Sequence, residues 1–416
     1  MNKLQLFLAS LLMLCTMSAN AQNHVGGDLS VLTKYESQGA KYFDKNGIRI
    51  NDLLTFVREQ GWNTIRIRLF VDPSNDTDKC VIQDLPYVMA LGKRIKDAGL
   101  LLMLDFHYSD TWADPGKQWT PAAWLSLSDA DLQTKLYEYT RDCLVQMKAA
   151  GATPDLIQTG NEISYGMLWG AQNTNANRCY TNSSATNWTR FTNLLKQAVK
   201  ACREECPQAK IIIHSERTPK PNVLVDFFDR MQAASLDYDI IGLSYYPYFH
   251  GNLTVLETAI KTLEKKSYGK QIQIVETGYP SQWEVPGTSE AVDYPYTVAG
   301  QKQFMSELIA MLQKHPLVNG LSWWYAEANA YGCTGDLKNG WYNAGLFNNN
   351  NGRALDALYE MKSFVGDDAS VSPIDIDSPE ASTWHSLDGR QLTATPSTPG
   401  IYLRSTPSST HKVLVR

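Results

Sequence analysis

Two glutamates, each at the end of a short β-prone segment, are the residues of this sequence best suited to chemistry. Glu162 closes the run DLIQTGNE, and Glu276 closes the run QIQIVE far downstream. If both segments are strands that end at one cleft, the two carboxyl groups face each other across a bound molecule. A carboxylic acid and a carboxylate in that arrangement are the two groups that most glycosidases use to hydrolyse a glycosidic bond.

The segments that must position this pair recur along the chain. Apolar β-prone runs alternate with amphipathic helical stretches, which is the pattern of βα units around a parallel sheet. The predicted strands are residues 25–30, 64–70, 101–107, 156–162, 210–214, 240–246, 272–276 and 320–325. Eight such units predict an α/β fold of the TIM (β/α)8 barrel type. A doubly wound open sheet is the alternative, although no glycine-rich nucleotide-binding motif follows the first strand.

Polar and aromatic residues stand at the ends of nearly all predicted strands. The carboxyl ends of TIM-barrel strands carry the active site, so we expect these side chains to line one cleft. They are Arg66, Arg68, His107, Asn161, Glu162, Tyr245, Tyr246, Glu276 and Trp324. The long stretch after the third strand adds Trp112 and Asp114.

The net charge of the chain argues against one class of partner, and its first residues predict where the protein is located. The net charge of −5 offers no basic face for nucleic acid. Lys3, the apolar run 4–17 and the sequence ANA at 19–21 form a signal-peptide pattern, and the run is too short to span a membrane. We therefore expect residues 1–21 to be a signal peptide and the mature chain to be exported. Periplasmic, cell-surface and extracellular locations all remain open.

A change in composition near residue 365 ends the predicted barrel domain, 22–365. Residues 366–380 are rich in Asp, Ser and Pro and are predicted to form a linker. Residues 381–416 hold short alternating segments separated by turn residues, which predicts a small β-rich C-terminal appendage. This segment is below the usual size for independent stability, so we expect it to dock on another surface or to serve as a sorting module.

Six stretches of the sequence resemble glycoside hydrolase family 53, the arabinogalactan endo-β-1,4-galactanases of clan A. They are GGDLS, NTIRIRLFVDP, DFHYSDTWADPGKQ, TGNEI, GLSYYPYFHG and VETGYP, within residues 25–364. The resemblance implies a (β/α)8 barrel that cleaves β-1,4-galactan, a side chain of pectin, with retention of configuration. By position, the family's acid/base falls on Glu162 and its nucleophile on Glu276. We expect a monomer.

Two positions depart from the family pattern. Bacterial members that bind calcium carry an Asp-Gly-Asp-Gly-His-like run soon after the nucleophile, whereas residues 280–286 here read PSQWEVP. The usual calcium loop is therefore not recognisable, and no cofactor or other metal is predicted. Phe249 stands where many members have tryptophan, which affects a sugar-stacking subsite. The stretches WHSLDGRQL, GIYLR and KVLVR are similar to terminal modules of secreted bacterial proteins, some linked to type IX secretion.

Each supporting residue has a functional and a structural interpretation. The Asn161 amide is expected to bind the sugar 2-hydroxyl or to cap the next helix. Arg66 and Arg68 share one side of the second strand. A guanidinium near Glu276 would keep that carboxyl group ionised, and we assign this role to Arg68, which lies nearer the strand end. The other arginine is then part of a structural ion pair.

The other candidates have similar alternatives. His107 is expected to bond a sugar hydroxyl, to tune a catalytic carboxylate, or to be a satisfied core histidine. By strand alternation, either Tyr245 or Tyr246 points inward toward Glu276. Asp114 lies in the third loop, with helix capping as its alternative. Candidate sugar platforms, each weighed against burial in the core, are Trp324 at the cleavage site and Trp112, Trp119 and Trp169 in flanking subsites.

Other functions fit parts of the sequence. Another clan A β-glycanase, acting on xylan, mannan or cellulose, would use the same pair of glutamates. A non-catalytic carbohydrate-binding barrel would keep the aromatic residues but lose one glutamate, and here both are present. A nucleophilic hydrolase is less favoured, because no G-x-S-x-G motif occurs.

Overall fold

The computed structural model describes residues 23–76, 78–180, 184–335, 337, 340–365, 383–386, 390–392, 396, 400–405 and 410–415. The predicted signal peptide and the predicted linker lie outside these residues. The described chain divides into two compact units between Phe364 and Val365.

Eight parallel strands of the first unit close into a barrel. They are β1 (His24–Asp28), β2 (Thr64–Leu69), β3 (Leu101–Phe106), β4 (Leu156–Thr159), β5 (Lys210–Ser215), β6 (Ile240–Tyr245), β7 (Gln271–Thr277) and β8 (Val318–Trp323). Because β1 pairs with both β2 and β8, the sheet has no edge. The TIM-barrel prediction is confirmed, and the open-sheet alternative is wrong.

Helices occupy the connections between the strands. They are α1 (Leu32–Ser37), α2 (Leu53–Glu59), α3 (Leu85–Asp97), α4 (Asp129–Ala149), α5 (Ser184–Glu205), α6 (Pro221–Ala233), α7 (Pro247–His250), α8 (Leu253–Glu264), α9 (Val298–Leu312) and α10 (Asp356–Glu360). Polar side chains accept backbone N–H groups at several helix starts, as Ser128 does for α4 and Thr297 for α9. None of the described helices is long and apolar enough to cross a membrane.

The side chains that point into the barrel change character along the strands. An apolar layer from five successive strands contains Met103, Leu156, Ile212, Ile240 and Val275. Closer to the carboxyl ends, inward positions carry buried polar groups instead: Asp28, Arg66, Arg68, Asp105, Gln158, His214, Ser244 and Glu276. The apolar layer stabilises the barrel, and the polar layer above it forms the floor of the site.

The second unit is an antiparallel sheet. Its strands are β9 (Thr383–Ser386), β10 (Gln391–Leu392), β11 (Gly400–Ser405) and β12 (Thr410–Val415), in the order β10-β9-β11-β12. The prediction of a small β-rich C-terminal segment is confirmed.

Candidate active site

A sharp turn after β4 presents the first candidate glutamate. Gly160 has a φ of 103°, and a Cβ at that position would lie 2.7 Å from Cγ2 of Ile163, so only glycine fits there. Glu162 itself has a φ of 50°, in the left-handed region that costs a non-glycine residue on the order of 1–2 kcal/mol. Such strain persists where the surrounding structure fixes it, and here it holds a carboxyl group over the mouth of the barrel.

A hydrogen-bonded chain of residues holds that carboxyl group. The backbone N–H of Glu162 donates to Nδ1 of His214 at 3.2 Å, so Nδ1 is an acceptor and Nε2 carries the ring hydrogen. Nε2 lies 2.8 Å from Oγ of Ser244 and donates to it. The Ser244 hydroxyl in turn donates to Oε1 of Glu162 at 2.6 Å. Burial holds the pKa of His214 well below its usual value, so this ring is neutral.

A β-bulge in β7 turns the second glutamate into the barrel. Leu243 pairs with Ile274 but Ser244 pairs with Glu276, so β7 carries one more residue than β6 at this point. Simple alternation from inward-facing Gln273 would have pointed Glu276 to the outside. The extra residue re-aims the side chain, which is a common use of bulges beside active sites. Glu276 therefore stands next to Ser244, the residue that holds Glu162.

Glu276 lies between a tyrosine and an arginine. The Tyr246 hydroxyl donates to Oε2 at 3.0 Å, and Nη2 of Arg66 lies 2.8 Å from Oε1. Tyr245 points elsewhere and donates to the carbonyl of Gly251 at 2.8 Å. Of the two tyrosines left open by the sequence, Tyr246 is therefore the inward one.

Arg66 is the arginine beside Glu276, and the prediction that gave this position to Arg68 is wrong. Arg66 lies two residues before Arg68 on β2, and its long side chain extends toward the carboxyl ends of the strands. It also contacts Asp28 at 2.9 Å. Arg68 contacts Asp28 at 3.3 Å, and its guanidinium lies 4.4 Å from the ring centre of Trp112. Arg68 therefore packs against the Trp112 ring and forms a second ion pair with Asp28.

These surroundings give the two carboxyl groups different acidities. Burial raises the pKa of Glu162 well above its usual value, and the charges of Glu276 and Glu216 raise it further. Burial also raises the pKa of Glu276, to about 7, but Arg66 opposes that shift. Burial alone would lower the pKa of Arg66, yet its carboxylate neighbours raise it, so the guanidinium stays charged. Because the cation lies beside Glu276, a proton shared by the pair belongs on Glu162.

His107 is a satisfied histidine at the edge of the site. Its Nδ1 accepts the backbone N–H of Ala113 at 3.0 Å, and its Nε2 lies 3.1 Å from Oδ2 of Asp105. Burial lowers the pKa of His107, so the ring is neutral and Nε2–H donates to Asp105. Both ring nitrogens of His107 therefore have partners within the protein, and its partner Asp105 also contacts Arg66 at 2.8 Å.

Asn161 keeps part of its amide available to a ligand. Its Oδ1 accepts from Arg66 at 2.9 Å, and its Nδ2 donates to the carbonyl of Ala113 at 2.8 Å, which leaves one amide hydrogen. The next helix, α5, begins only at Ser184, so the helix-capping alternative for Asn161 is wrong.

Asp114 and Trp112 belong to the wall that follows β3. Asp114 accepts the backbone N–H of Gly116 at 2.8 Å and pairs with Lys117 at 3.2 Å, within a turn and not at a helix start. The Trp112 indole donates to Asp78 at 2.9 Å. Both side chains face the cleft, so the helix-capping alternative for Asp114 is wrong.

The cleft itself has a volume of about 610 Å³ and brings most of the predicted residues together. Its walls include His107, Trp112, Asp114, Asn161, Glu162, Glu216, Arg217, Tyr246, Phe249, Glu276, Trp324 and Trp341. Trp169 is fully buried, so its prediction as a flanking subsite is wrong. The described residues include no group of three or more His, Cys, Asp or Glu side chains that could hold a metal ion.

The barrel unit as a whole matches a known family. The sequence model for glycosyl hydrolase family 53 matches residues 24–361, well over half of the chain. The chain belongs to this family.

The chain is also similar to individual proteins and to solved structures. The chain is 37% identical over 312 residues to a Niallia circulans protein described as an uncharacterized protein in the bgaB 5' region, covering 73% of this chain and 82% of that one. It is 32% identical over 325 residues to a probable arabinogalactan endo-β-1,4-galactanase A of Neosartorya fischeri, covering 75% and 86%. The solved family 53 catalytic domain of Ignisphaera aggregans superposes with a TM-score of 0.73 at 32% identity, covering 84% and 98%. The resemblance noted in the sequence is confirmed.

Several residues of this family 53 site were not singled out from the sequence. They are Asp28, Asp105, Gln158, His214, Ser244, Glu216 and Trp341. Five of them, Asp28, Asp105, Gln158, His214 and Ser244, occupy inward positions in predicted strands. Strand alternation, applied to all eight strands and not only to their ends, would have found these five.

Proposed function

We propose that this family 53 chain is an endo-β-1,4-galactanase that hydrolyses galactan, including the type I arabinogalactan side chains of pectin, by a retaining double displacement. The observation that carries the chemistry is the pair of carboxyl groups in one cleft with unequal neighbours. Glu276 has a guanidinium and a phenol beside it, and Glu162 has a serine hydroxyl. Galactan as the substrate is supported by similarity to proteins such as the probable arabinogalactan endo-β-1,4-galactanase A of Neosartorya fischeri.

The two carboxyl groups divide the reaction into two displacements. Glu162 gives its proton to the leaving glycosidic oxygen while Glu276 attacks the anomeric carbon and forms a covalent glycosyl-enzyme. The bond from that carbon to the leaving oxygen breaks in the same step. Glu162, now ionised, then takes a proton from water, and the water oxygen replaces Glu276 at the anomeric carbon. Two inversions leave the β configuration unchanged.

Neighbouring side chains support both steps. The Arg66 and Tyr246 contacts favour the ionised form of Glu276 and orient its carboxylate oxygens. The remaining amide hydrogen of Asn161 can bind the sugar 2-hydroxyl, a contact that strengthens as positive charge develops on the ring. Trp324 lines the cleft and offers a flat face to the sugar at the cleavage site.

We also propose a location, an oligomeric state and a cofactor requirement for the enzyme. The pattern around Lys3 and residues 19–21 supports export, and we propose that the exported chain acts as a monomer. Since the carboxyl pair supplies both the acid/base and the nucleophile, the mechanism requires no cofactor. Hydrolysis that survives treatment with EDTA is the expected result.

The product profile on linear β-1,4-galactan, beside xylan, mannan and cellulose, tests the proposal. We expect oligosaccharides from galactan alone, with β-anomers in the first NMR spectra. Glu162→Gln should lower galactan turnover by roughly 10²–10⁴-fold, and Glu276→Gln by at least as much. Faster cleavage of another polymer, an α-anomeric first product, or near-normal turnover in either variant would contradict the proposal.

A further inference from the structure

A third carboxyl group in the cleft is not used by the mechanism above. Glu216 follows β5, and only 7% of its side chain is exposed. Its Oε1 accepts from Oγ of Ser164 at 2.5 Å and lies 2.9 Å from Nε of Arg217. Its Oε2 is buried and has no hydrogen-bond partner among the described residues. Leaving such an acceptor unsatisfied costs about 1–3 kcal/mol, so a hydrogen-bond donor brought by a ligand would be favoured.

Arg217 is held rigidly beside this carboxyl group. Its guanidinium carbon lies 3.9 Å from the ring centre of Tyr165, and its Nε also lies 3.2 Å from Oγ of Ser164. Both Glu216 and Arg217 line the cleft. The arrangement presents a fixed acceptor and a fixed cation to whatever occupies this part of the cleft.

The position of the pair relative to the cleaved bond follows from Glu162. The cleft has one arm after β3, with Trp112 and Asp114, and another after β5 and β6, with Glu216 and Phe249. Ser244 of β6 holds the Glu162 carboxyl group, and Ser164, two residues after Glu162, donates to Glu216. In a retaining glycosidase the leaving oxygen lies beside the acid, and the anomeric carbon lies beside the nucleophile. Because Glu216 adjoins the turn that carries the acid Glu162, it lies on the side of the leaving sugar.

We infer that Glu216 and Arg217 form the binding site for the galactosyl unit that leaves, with Oε2 of Glu216 accepting a hydrogen bond from one of its hydroxyl groups. The inference rests on the proposed function, since it assumes galactan cleavage through Glu162 and Glu276. Glu216 is then a specificity-determining residue for the sugar on the leaving side of the bond. The rival role for Glu216 is purely electrostatic, acting on Glu162 through space.

Transfer to an added acceptor separates these roles. With 4-nitrophenyl β-1,4-galactobioside as donor, water and added galactobiose compete for the same glycosyl-enzyme. Both acceptors lose their proton to Glu162, so the ratio of transfer product to hydrolysis product reports acceptor binding and is insensitive to Glu162. For Glu216→Gln we expect this ratio to fall by about 10- to 100-fold, the usual effect of one hydrogen bond to a charged group. An unchanged far-UV circular dichroism spectrum and urea midpoint show that the variant is folded. The ratio compares two products of one glycosyl-enzyme, so it can be measured whatever the overall rate of the variant.

Arg217→Lys provides a second variant and should lower the same ratio. An unchanged transfer ratio in Glu216→Gln, with slower transfer and hydrolysis together, would assign the residue to electrostatics and overturn the inference. Absence of any transfer product with the wild-type enzyme would also overturn it. Failure of the galactanase proposal is distinguishable, because the wild-type enzyme would then leave galactan and the aryl donor uncleaved.

Discussion

At the two carboxyl groups proposed for catalysis, the partners are a phenol and a guanidinium for Glu276 and a serine hydroxyl for Glu162. Arg66 and Tyr246 both favour the ionised form of Glu276. The serine contact of Glu162 opposes, but does not cancel, the rise in pKa that burial and the neighbouring carboxyl groups produce. These contacts suit the two glutamates to the two different roles that a retaining glycosidase needs.

Replacing Tyr246 by phenylalanine tests the phenol contact alone. The variant loses the donor that lies 3.0 Å from Glu276 and keeps the ring. Because hydrogen bonds to charged groups contribute about 1.5–3 kcal/mol, we expect kcat on galactan to fall about 10- to 100-fold.

Tyr245→Phe is the matched control at the residue scale. It removes a hydroxyl that donates to the Gly251 carbonyl, away from Glu276. We expect kcat near that of wild type and a loss of about 1 kcal/mol in the free energy of unfolding by urea. Equal losses of kcat in both tyrosine variants would contradict the assignment of Tyr246.

At the scale of elements, a buried glutamate joins the ends of two adjacent strands. Glu327 follows β8, and its Oε1 accepts the backbone N–H of Val31 after β1 at 2.7 Å. Its Oε2 is buried without a hydrogen-bond partner in the described chain. Burial raises the pKa of Glu327 to about 8, so the folded protein holds this carboxyl group in its neutral form.

The raised pKa predicts a pH dependence of stability. In the unfolded chain Glu327 loses its proton near pH ~4.3, but in the fold it keeps the proton up to about pH 8. Its contribution to stability is therefore present at low pH and lost as the pH rises through that window, by on the order of 1 kcal/mol per pH unit.

Glu327→Gln removes this titration and keeps the acceptor for Val31. We expect the free energy of unfolding to decrease less with pH in the variant than in the wild type. Urea titrations of both proteins at several values between pH ~5 and 8 measure the difference directly. Parallel curves would show that Glu327 is ionised in the folded state.

For the molecule as a whole, the residues proposed for catalysis all belong to the unit that ends at Phe364. The family 53 match ends close to this boundary, at residue 361. We therefore expect a chain that stops at Val365 to hydrolyse galactan with kcat/KM within about 2-fold of the full chain, since every residue proposed for catalysis lies in the first unit. A loss of kcat/KM by 10-fold or more, relative to the full chain assayed in parallel, would show that the C-terminal sheet takes part in catalysis.

The amino-acid sequence by itself determined the barrel and its reactive pair. Each of the eight strands starts and ends within three residues of its predicted bounds, because runs of apolar β-prone residues between helical stretches are local signals. Glu162 and Glu276 could be chosen because both stand at strand ends, where a TIM barrel gathers its chemistry. The family resemblance rested on motifs that are contiguous in the chain, and it therefore needed no knowledge of contacts.

Only the tertiary structure decided which neighbours these carboxyl groups have. The bulge in β7 that turns Glu276 inward is a mismatch of register with β6 and β8, and a single strand read alone contains no trace of it. The choice of Arg66 over Arg68 and the link from His214 through Ser244 to Glu162 depend on side chains from different strands meeting in space. The reach and direction of a side chain are fixed by packing across the barrel, whereas secondary structure is largely encoded in adjacent residues.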